Sequence, residues 1–193
     1  YDNLGSGILT FSPDSRQVAY VAGIGDKWLA VIDDKESEQY DNFGVDGIVF
    51  SPDSMHVAYM IGVGDEWAVV NDGEVGDSYY GILIGSLVFS PDSRYLACLV
   101  SDGTNQFAVV NREKGDDYYA VKSLVFSPDG KHVAYLASDG TNGAVVVDSK
   151  EGEIYDGVLS AIDGKLIFFD SPDTMHYLSV KGNDVYLTEE TIK

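Results

Sequence analysis

The sequence predicts an all-β protein: a five-bladed β-propeller in one domain, with four antiparallel strands in each blade. Two observations lead to this prediction, a turn motif that occurs five times and a tyrosine that recurs at nearly constant spacing. A repeat of about 40 residues with four short strands is typical of propeller blades. The length of 193 residues fits one domain with a sizeable core.

The turn motif is Phe-Ser-Pro-Asp followed by glycine or serine, and each copy lies between two apolar runs. Four copies begin at Phe11, Phe50, Phe89 and Phe126, and a degraded copy occupies residues 170–174. Proline presets φ at the first turn position, and Asp with Gly or Ser suits the positions that follow. Each copy therefore predicts a β-hairpin.

The recurring tyrosine sets the repeat boundaries. Tyrosines 1, 40, 79, 118 and 155 are separated by 39, 39, 39 and 37 residues. The chain is thereby divided into the repeats 1–39, 40–78, 79–117, 118–154 and 155–193. They cover the whole sequence without a linker.

Within a repeat the pattern predicts four strands and no helix. The first is the stretch after the tyrosine, and the second is the apolar run into Phe-Ser-Pro-Asp. The third is a Val-Ala-Tyr run, and the fourth is the run at residues 28–32 of the first repeat and its counterparts. The polar stretch that follows the fourth run is predicted to be a turn.

The ring is expected to close through the N-terminal strand. If residues 1–4 pair beside residues 185–188, two exposed strand edges that favour aggregation disappear. Two alternatives remain open at this point. Residues 189–193 complete their own blade and the ends only abut, or the five blades are an arc of a larger ring.

The charge excludes some classes of partner. Lys and Arg total 12 against 32 Asp and Glu, which gives a net charge of −20 and a pI near 4.1. Such a surface repels nucleic acid and anionic membranes. A salty environment, a basic partner or cation binding would each explain the acidity. The sequence shows neither a run of membrane-spanning length nor a signal-peptide pattern at its start.

Three sets of residues are candidates for metal binding. The hairpin aspartates and the histidines recur at equivalent repeat positions, so we expect them to lie on different blades, too far apart to share one ion. We therefore interpret the aspartates as turn residues, with neighbouring turns diverging, and the histidines as surface residues at strand starts. The turns at 102–105 and 139–142 offer too few oxygens for calcium. The aspartates are Asp14, Asp53, Asp92, Asp129 and Asp173, and the histidines are His56, His132 and His176.

The recurring aromatic residues are interpreted as packing residues. Trp28, Trp67 and Phe107 are assigned to one repeat position, where the fourth repeat has Gly143, and we expect them to pack between blades. The tyrosines that begin the repeats are expected to do the same. The single cysteine, Cys98, is expected to be buried.

No catalytic, cofactor-binding or metal-binding residue is predicted, and we expect neither a cofactor nor enzyme activity. The sequence contains no Gly-x-Ser-x-Gly, P-loop or Gly-x-Gly-x-x-Gly pattern. Asp46 and Asp163 are the acids near the predicted inner strands, and neither has an obvious partner.

One face of the disc is predicted to be strongly acidic. In a four-stranded blade the first–second and third–fourth turns fall on one face, and the polar stretches after the fourth run are rich in acids. The alternative is a uniformly acidic surface. The acids are Asp33, Asp34, Glu36, Glu38, Asp72, Glu74, Asp77, Glu113, Asp116, Asp117, Asp148, Glu151 and Glu153.

Taken together, these motifs resemble the bacterial WD-like propeller repeat of TolB-type proteins and of propeller domains attached to prolyl-oligopeptidase-like enzymes. The resemblance rests on Phe-Ser-Pro-Asp-Gly/Ser-x-x-Val-Ala-Tyr, Trp-x-Val-Val and the Tyr-Asp anchor. The fifth repeat departs from the pattern, with an insertion at residues 160–165 and Asp170 in place of the phenylalanine. The resemblance implies an interaction platform and carries no catalytic residue over.

The expected function is a non-catalytic scaffold whose loops bind a protein or peptide, possibly a basic one. The first alternative is a propeller that binds a small ligand or cation at the channel mouth. The second is a regulatory domain from a larger hydrolase. We expect a monomer that neither binds nucleic acid nor inserts into a membrane. The resemblance favours a periplasmic or secreted location, although the chain contains no targeting segment.

Overall fold

The computed structural model describes residues 1–159 and 165–192, and only the backbone of residues 6–8. The described part contains strands, turns and bends, and its strands form five antiparallel sheets. The predicted all-β antiparallel architecture is therefore confirmed. We number the sheets 1–5 in chain order.

The first two sheets have four strands each, ordered as in the chain. Sheet 1 contains β1 (Asn3–Phe11), β2 (Val18–Ile24), β3 (Lys27–Ile32) and β4 (Lys35–Glu36). Sheet 2 contains β5 (Asn42–Phe50), β6 (Val57–Val63), β7 (Glu66–Asn71) and β8 (Glu74–Tyr79).

Sheets 3 and 4 repeat this order, except that the first strand of sheet 3 is in two pieces that both pair with β11. Sheet 3 contains β9 (Gly81–Ile82), β10 (Val88–Phe89), β11 (Leu96–Ser101), β12 (Gln106–Val110) and β13 (Glu113–Lys114). Sheet 4 contains β14 (Ala120–Phe126), β15 (Val133–Ser138), β16 (Gly143–Val147) and β17 (Lys150–Tyr155).

Sheet 5 also has four strands, but their arrangement differs from that in the other sheets. It contains β18 (Gly157–Leu159), β19 (Phe168–Ser171), β20 (Thr174–Lys181) and β21 (Asp184–Thr191). Both β18 and β19 pair with β20 on the side opposite β21, and together they take the place of the first strand. The sheet thus has the predicted four strands but is three strands wide.

The sequence also misassigned the first and fourth strands. The predicted first and second strands of a repeat are one continuous strand in sheets 1 and 2, β1 and β5. The real fourth strand lies in the polar stretch that was predicted to be a turn, as in β4 and β8. An outer edge strand exposes most of its side chains, so it carries polar residues and resembles a turn in the sequence.

The first strand of every sheet is irregular at its middle. The pairing register shifts between Phe43 and Ile48 in β5, and between Lys122 and Val125 in β14. Such bulges bend a strand and redirect its side chains. The bulge of β14 is two residues shorter than that of β5, which explains the 37-residue spacing from Tyr118 to Tyr155.

The hydrophobic core consists of layers between successive sheets. Between sheets 1 and 2, Val21 and Ala30 pack against Ile48, Tyr59 and Val70. The first strand of each later sheet contacts the sheet before it, as β5 contacts β1, β2 and β3. We therefore call the first strand of each sheet its inner strand, as in a propeller. Full burial of one large apolar side chain contributes about 1.5–3 kcal/mol.

The predicted closure by the N-terminal strand is not found. Asn3 and Leu4 pair with Gly23 and Ala22 of β2, whereas the described partner of β21 is β20. The inner-strand side chain of Phe11 is 59% exposed, whereas its repeat counterpart Phe50 is 9% exposed beneath sheet 1. The part of sheet 1 around Phe11 thus has no sheet packed over it, whereas the equivalent part of sheet 2 is covered by sheet 1.

Hydrogen bonds between hairpin turns reinforce the layers. The backbone N–H of Asp14 donates to Ser54 Oγ, and that of Asp53 donates to Ser93 Oγ, both at 3.0 Å. Gly130 follows at the equivalent position with φ of 75°, and a Cβ there would lie 2.5 Å from Asp92 Oδ1. The absence of a side chain at Gly130 is therefore a packing requirement.

Replacement of Gly130 by alanine is expected to destabilise the fold more than replacement of Gly64. Both glycines have positive φ, which costs a residue with a Cβ about 1–2 kcal/mol. The space around Gly64 is open, whereas Gly130→Ala also forces the Asp92 carboxylate to move. Urea unfolding of both variants measures the difference, and equal losses of unfolding free energy would show that the contact with Asp92 is unimportant.

Candidate functional site

The hairpin aspartates are engaged within their own turns. Ser12 Oγ donates to Asp14 Oδ1 at 2.7 Å, and the N–H of Arg16 donates to the same oxygen at 3.1 Å. The N–H of Gln17 donates to Ser12 Oγ at 2.9 Å. The turns of sheets 2, 3 and 4 repeat this network. The fifth copy differs, because residues 172–173 form a two-residue turn between β19 and β20.

These hydrogen bonds lower the pKa of the carboxyl groups. The serine hydroxyl of each turn is the main cause of the lowered pKa of Asp14, Asp53 and Asp92. At Asp129 the main cause is Lys131, and together with Ser127 it lowers the pKa to about 2. The hydrogen bonds therefore stabilise the ionised carboxylates in the folded turns.

The expected divergence of neighbouring turns is wrong. The turns of sheets 1, 2 and 3 are in direct contact, because Ser54 and Ser93 each accept a hydrogen bond from the preceding turn. The inter-sheet layers bring these hairpins together at their inner ends. Nevertheless, no group of three or more His, Cys, Asp or Glu side chains within residues 1–159 and 165–192 is arranged to hold a metal ion.

Each histidine is paired with an aspartate of its own sheet. His56 Nδ1 lies 2.7 Å from Asp72 Oδ2, and His132 Nδ1 lies 2.6 Å from Asp148 Oδ2. In sheet 5 the partner of His176 is Asp170, at 2.7 Å. The structure thus does not bring the histidines together. The sequence analysis missed these pairs, although the shared 16-residue spacing in sheets 2 and 4 was a detectable signal.

The Asp-Gly-Thr-Asn turns use their carboxylates internally. Asp102 Oδ1 accepts from the N–H groups of Thr104 and Asn105 at 2.9 and 2.7 Å. These backbone bonds, that from Asn105 first, lower the pKa of Asp102. Asp139 makes the same contacts in sheet 4. The two carboxylates thus serve the turn geometry.

The recurring aromatic residues do not all occupy one position. Trp28 pairs with Gly23 and Trp67 with Gly62, but in sheet 3 the equivalent Ser101 pairs with Gln106. Gln106 therefore takes the position of Trp67, and Phe107 is shifted by one residue from it, to the position of Ala68. Because strand side chains alternate, this shift moves Phe107 to the other face, where it is buried against Tyr79 at 5.9 Å between ring centroids.

The predicted acidic face is correct only in part. The N–H of Val18 donates to Asp33 Oδ1, so the hairpin turn and the third–fourth turn of sheet 1 do share one edge. The outer strands, however, run back across the sheet: Tyr79 ends β8 opposite Trp67, at the other edge. Acids near the end of these strands therefore belong to the opposite edge; they are Glu38, Asp77, Asp116, Asp117 and Glu153.

The inner strands of sheets 2 and 3 expose two large apolar side chains at their irregular segments. Val45 is 70% exposed and Ile84 is 76% exposed, and both lie at the irregular middle of their strands. Gly85 N–H donates to Asp46 Oδ2 at 2.6 Å, which links the two bulges. Asp46 therefore has a structural partner across the sheet boundary, whereas Asp163 lies outside the described residues.

Two exposed tyrosines, Tyr80 and Tyr119, lie directly before the inner strands of sheets 3 and 4. Their rings cover the turn glycines, because a Cβ at Gly103 would lie 3.3 Å from Tyr80 and one at Gly140 would lie 3.3 Å from Tyr119. In sheets 1 and 5 the equivalent residue is an aspartate that accepts from the turn backbone. We define the inner-strand surface as Val45, Tyr80, Ile84, Tyr119 and the exposed Lys122. The sequence analysis did not identify it.

Cys98 is buried as expected, between sheets 2 and 3, and burial raises the pKa of its thiol to about 12. No described residue belongs to a helix with the length and apolar character needed to cross a membrane.

We expect the Cys98 thiol to resist alkylation in the folded protein. With a pKa of about 12, almost no thiolate is present at pH 8, and burial also blocks access of the reagent. Iodoacetamide labelling at pH 8, followed by mass spectrometry, is expected to modify the urea-unfolded chain and leave the native chain unmodified. Rapid labelling of the native chain would contradict this placement.

Stability is expected to fall on acidification, between about pH 4 and pH 2. The hairpin carboxyl groups have a lower pKa in the folded state, so they stabilise it above the unfolded-state pKa of about 3.9. This stabilisation is lost as the pH falls through the folded-state values. Urea midpoints measured across this range are expected to fall less for Asp129→Asn than for the exposed-turn control Asp65→Asn. Identical pH profiles would contradict the role of Asp129.

Comparison with known proteins agrees with this architecture. No protein-family model matches the sequence, and no curated protein matches it significantly. Among solved structures, TolB from Acinetobacter baumannii is similar with a TM-score of 0.51 and 16% identity, over 95% of this chain and 51% of that chain. The Dos1 propeller is similar with a TM-score of 0.51 and 9% identity, over 98% of this chain and 56% of that chain.

The periplasmic gluconolactonase of Pseudomonas aeruginosa is a more distant neighbour, with a TM-score of 0.40 and 13% identity, over 96% of this chain and 72% of that chain. The chain thus spans about half the length of the first two of these structures. At such identities the likeness concerns the fold alone. The chain has the β-propeller fold of TolB-like proteins.

Proposed function

We propose that the protein is a non-catalytic platform that binds a protein or peptide through the inner-strand surface. The observation that carries the proposal is the exposure of Val45 and Ile84, whose chain neighbours Asp46 and Gly85 are hydrogen-bonded to each other between sheets 2 and 3. Their exposure contrasts with the burial of the apolar residues that pack between the sheets. Exposed apolar groups at the centre of a polar surface are typical of interaction sites.

The chemistry of the inner-strand surface favours a peptide segment with apolar and basic side chains. Tyr80 and Tyr119 offer rigid aromatic rings, which contribute much contact area at a small loss of side-chain entropy. The net charge of −20 attracts a basic partner and accelerates its association. Lys122 is the exception, because it is an exposed cation on the inner strand of sheet 4, placed to meet a carboxylate of the partner.

The proposed absence of catalysis rests on how the recurring acids are used. The hairpin aspartates are occupied by serine hydroxyls and backbone N–H groups, and Asp102 and Asp139 by backbone N–H groups. The histidine partners Asp72, Asp148 and Asp170 sit on separate sheets. These arrangements stabilise turns and strand starts.

We further infer that the five sheets are five blades of one propeller and that the partner contacts its central opening.

The proposal is tested by selecting peptides from a displayed random 12-residue library against the immobilised protein. We expect the selected peptides to be rich in basic and apolar residues, and their affinity to fall at least tenfold in Val45→Asp and Ile84→Asp. A carboxylate introduced into an apolar contact leaves a charge without a partner, which opposes binding. Isothermal titration calorimetry measures the affinity of individual peptides.

The matched control is Val75→Asp, which introduces the same charge at an exposed valine on the outer strand β8. Peptide affinity is expected to be unchanged in this variant. If no peptide is enriched, or if Val75→Asp weakens binding as much as Ile84→Asp, the inner-strand surface is not the binding site.

A further inference from the structure

A buried tyrosine hydroxyl between sheets 3 and 4 has no hydrogen-bond partner. Tyr135 lies at the centre of sheet 4 and is only 2% exposed, and its hydroxyl oxygen makes no hydrogen bond among the described residues. Burial raises its pKa, so the group is a neutral hydrogen-bond donor. Burying a polar group without a partner is costly, so the interface has to supply a partner from elsewhere.

The equivalent tyrosine between sheets 1 and 2, Tyr59, is not among the buried polar groups without a partner. Its hydroxyl lies close enough to Ser37 and Tyr40 for both to affect its pKa. Ser37 Oγ is held in place by the N–H of Ala30, which donates to it at 2.9 Å. The first repeat thus places a serine oxygen near the hydroxyl of the tyrosine in the next sheet.

Sheet 3 has a glycine where sheet 1 has Ser37. The N–H of Gly115 donates to Ala108 O at 2.9 Å, just as the N–H of Ser37 donates to Ala30 O at 2.9 Å, so the backbones correspond. A Cβ added at Gly115 would lie 3.3 Å from the Tyr135 hydroxyl oxygen. The missing serine side chain therefore leaves a space next to the unpartnered donor.

This space opens into a cleft of about 350 Å³ between sheets 3 and 4. Its walls include Ala108, Val110, Phe126 and Val133, and Tyr135 and Gly115 line it as well. The volume corresponds to roughly a dozen waters at ~30 Å³ each, and it falls in the range of small-ligand sites. An apolar wall with one buried donor is suited to a molecule that has an apolar body and one acceptor oxygen.

The charged residues around the cleft favour a neutral ligand. Lys131 and Lys114 both line it, but each already has a carboxylate partner, Asp129 at 2.8 Å and Asp117 at 2.7 Å. The lining also contains the acids Glu113 and Asp148. An anion would therefore have to compete with a bound carboxylate for either lysine.

We propose that this inter-sheet cleft is a binding site for a small neutral molecule with an apolar body and a carbonyl oxygen. The carbonyl accepts a hydrogen bond from Tyr135 Oη and takes the place that Ser37 Oγ holds between sheets 1 and 2. The apolar body lies against Val110, Phe126 and Val133. The site is separate from the inner-strand surface and does not depend on the function proposed for it.

The neighbouring cleft between sheets 2 and 3 provides an internal comparison. It has a similar volume of about 370 Å³ and also has a glycine, Gly76, at the serine position. The tyrosine is replaced there by Cys98, and the unpartnered buried atom is Asn71 Oδ1, which accepts hydrogen bonds. Tyr79 also lines this second cleft, but its hydroxyl is not a buried donor without a partner, as that of Tyr135 is.

The test uses cyclohexanone as the probe and cyclohexene as a probe of similar shape without an oxygen. Titration of the ¹⁵N-labelled protein is expected to shift the amide signals of Gly115 and Tyr135 with cyclohexanone at millimolar concentration. Cyclohexene is expected to bind about fivefold more weakly, as the loss of one hydrogen bond requires. Tyr135→Phe is expected to remove this difference between the two probes.

Gly115→Ser is the decisive variant, because it supplies the oxygen that the ligand would otherwise provide. It is expected to abolish the response to cyclohexanone and, without any probe, to raise the thermal midpoint by about 2–4 °C. The matched control Gly76→Ser lies in the cleft that has Cys98 at the position of Tyr135, and it is expected to leave both properties unchanged.

Several results would overturn the proposal. One is the absence of any shift at Gly115 and Tyr135 with cyclohexanone in the unmodified protein, which would mean that water alone satisfies Tyr135. Another is equal binding of cyclohexanone and cyclohexene. A third is retained cyclohexanone binding in a folded Gly115→Ser variant.

Discussion

The packing of one β-sheet onto the next is the interaction on which the rest of the structure depends. A single sheet of about 40 residues cannot bury its apolar faces, so each repeat gains stability from its neighbours. Tyr59 and Ile61 of sheet 2 are almost fully buried because Ala19, Val21 and Ala30 of sheet 1 lie against them. The small residues on one face and the large residues on the next allow close approach. The hairpin turns add hydrogen bonds across the same boundary, from backbone N–H groups to Ser54 and Ser93.

Differences between repeats create local sites within this regular arrangement. Each of the four inter-sheet boundaries is built from the same repeat positions, so one substitution has a local and specific effect. Glycine in place of serine at position 115 leaves a donor without a partner, and cysteine in place of tyrosine at position 98 accompanies the inward shift of Phe107. Phe107 occupies the buried position of Ala68, one residue after the position of Trp67. Sites in this protein are therefore found by asking where a repeat departs from its neighbours.

The acids of the turns have structural roles and do not form part of the surface that is proposed to bind a partner. The acidic side chains of the hairpins and of the Asp-Gly turns are occupied by short-range hydrogen bonds that stabilise loops. The inner strands, in contrast, expose Val45 and Ile84 because their bulges interrupt regular pairing. A bulge redirects side chains without breaking the sheet. The same feature that bends the inner strand therefore also presents its apolar groups.

The sequence by itself determined the all-β class, the number of repeats, the hairpin turns and the burial of Cys98, because turn chemistry and repeat spacing are local properties. Only the tertiary structure decided the features that depend on which strands and sheets lie next to each other. The outer strands are polar and resemble turns until β3 and β7 pair with them. The burial of Phe107 depends on its pairing with Val100, and the His56–Asp72 pair depends on which strands adjoin. Contact between neighbouring hairpin turns and the unpartnered Tyr135 hydroxyl arise only where two sheets meet, and no local pattern within one repeat contains that information.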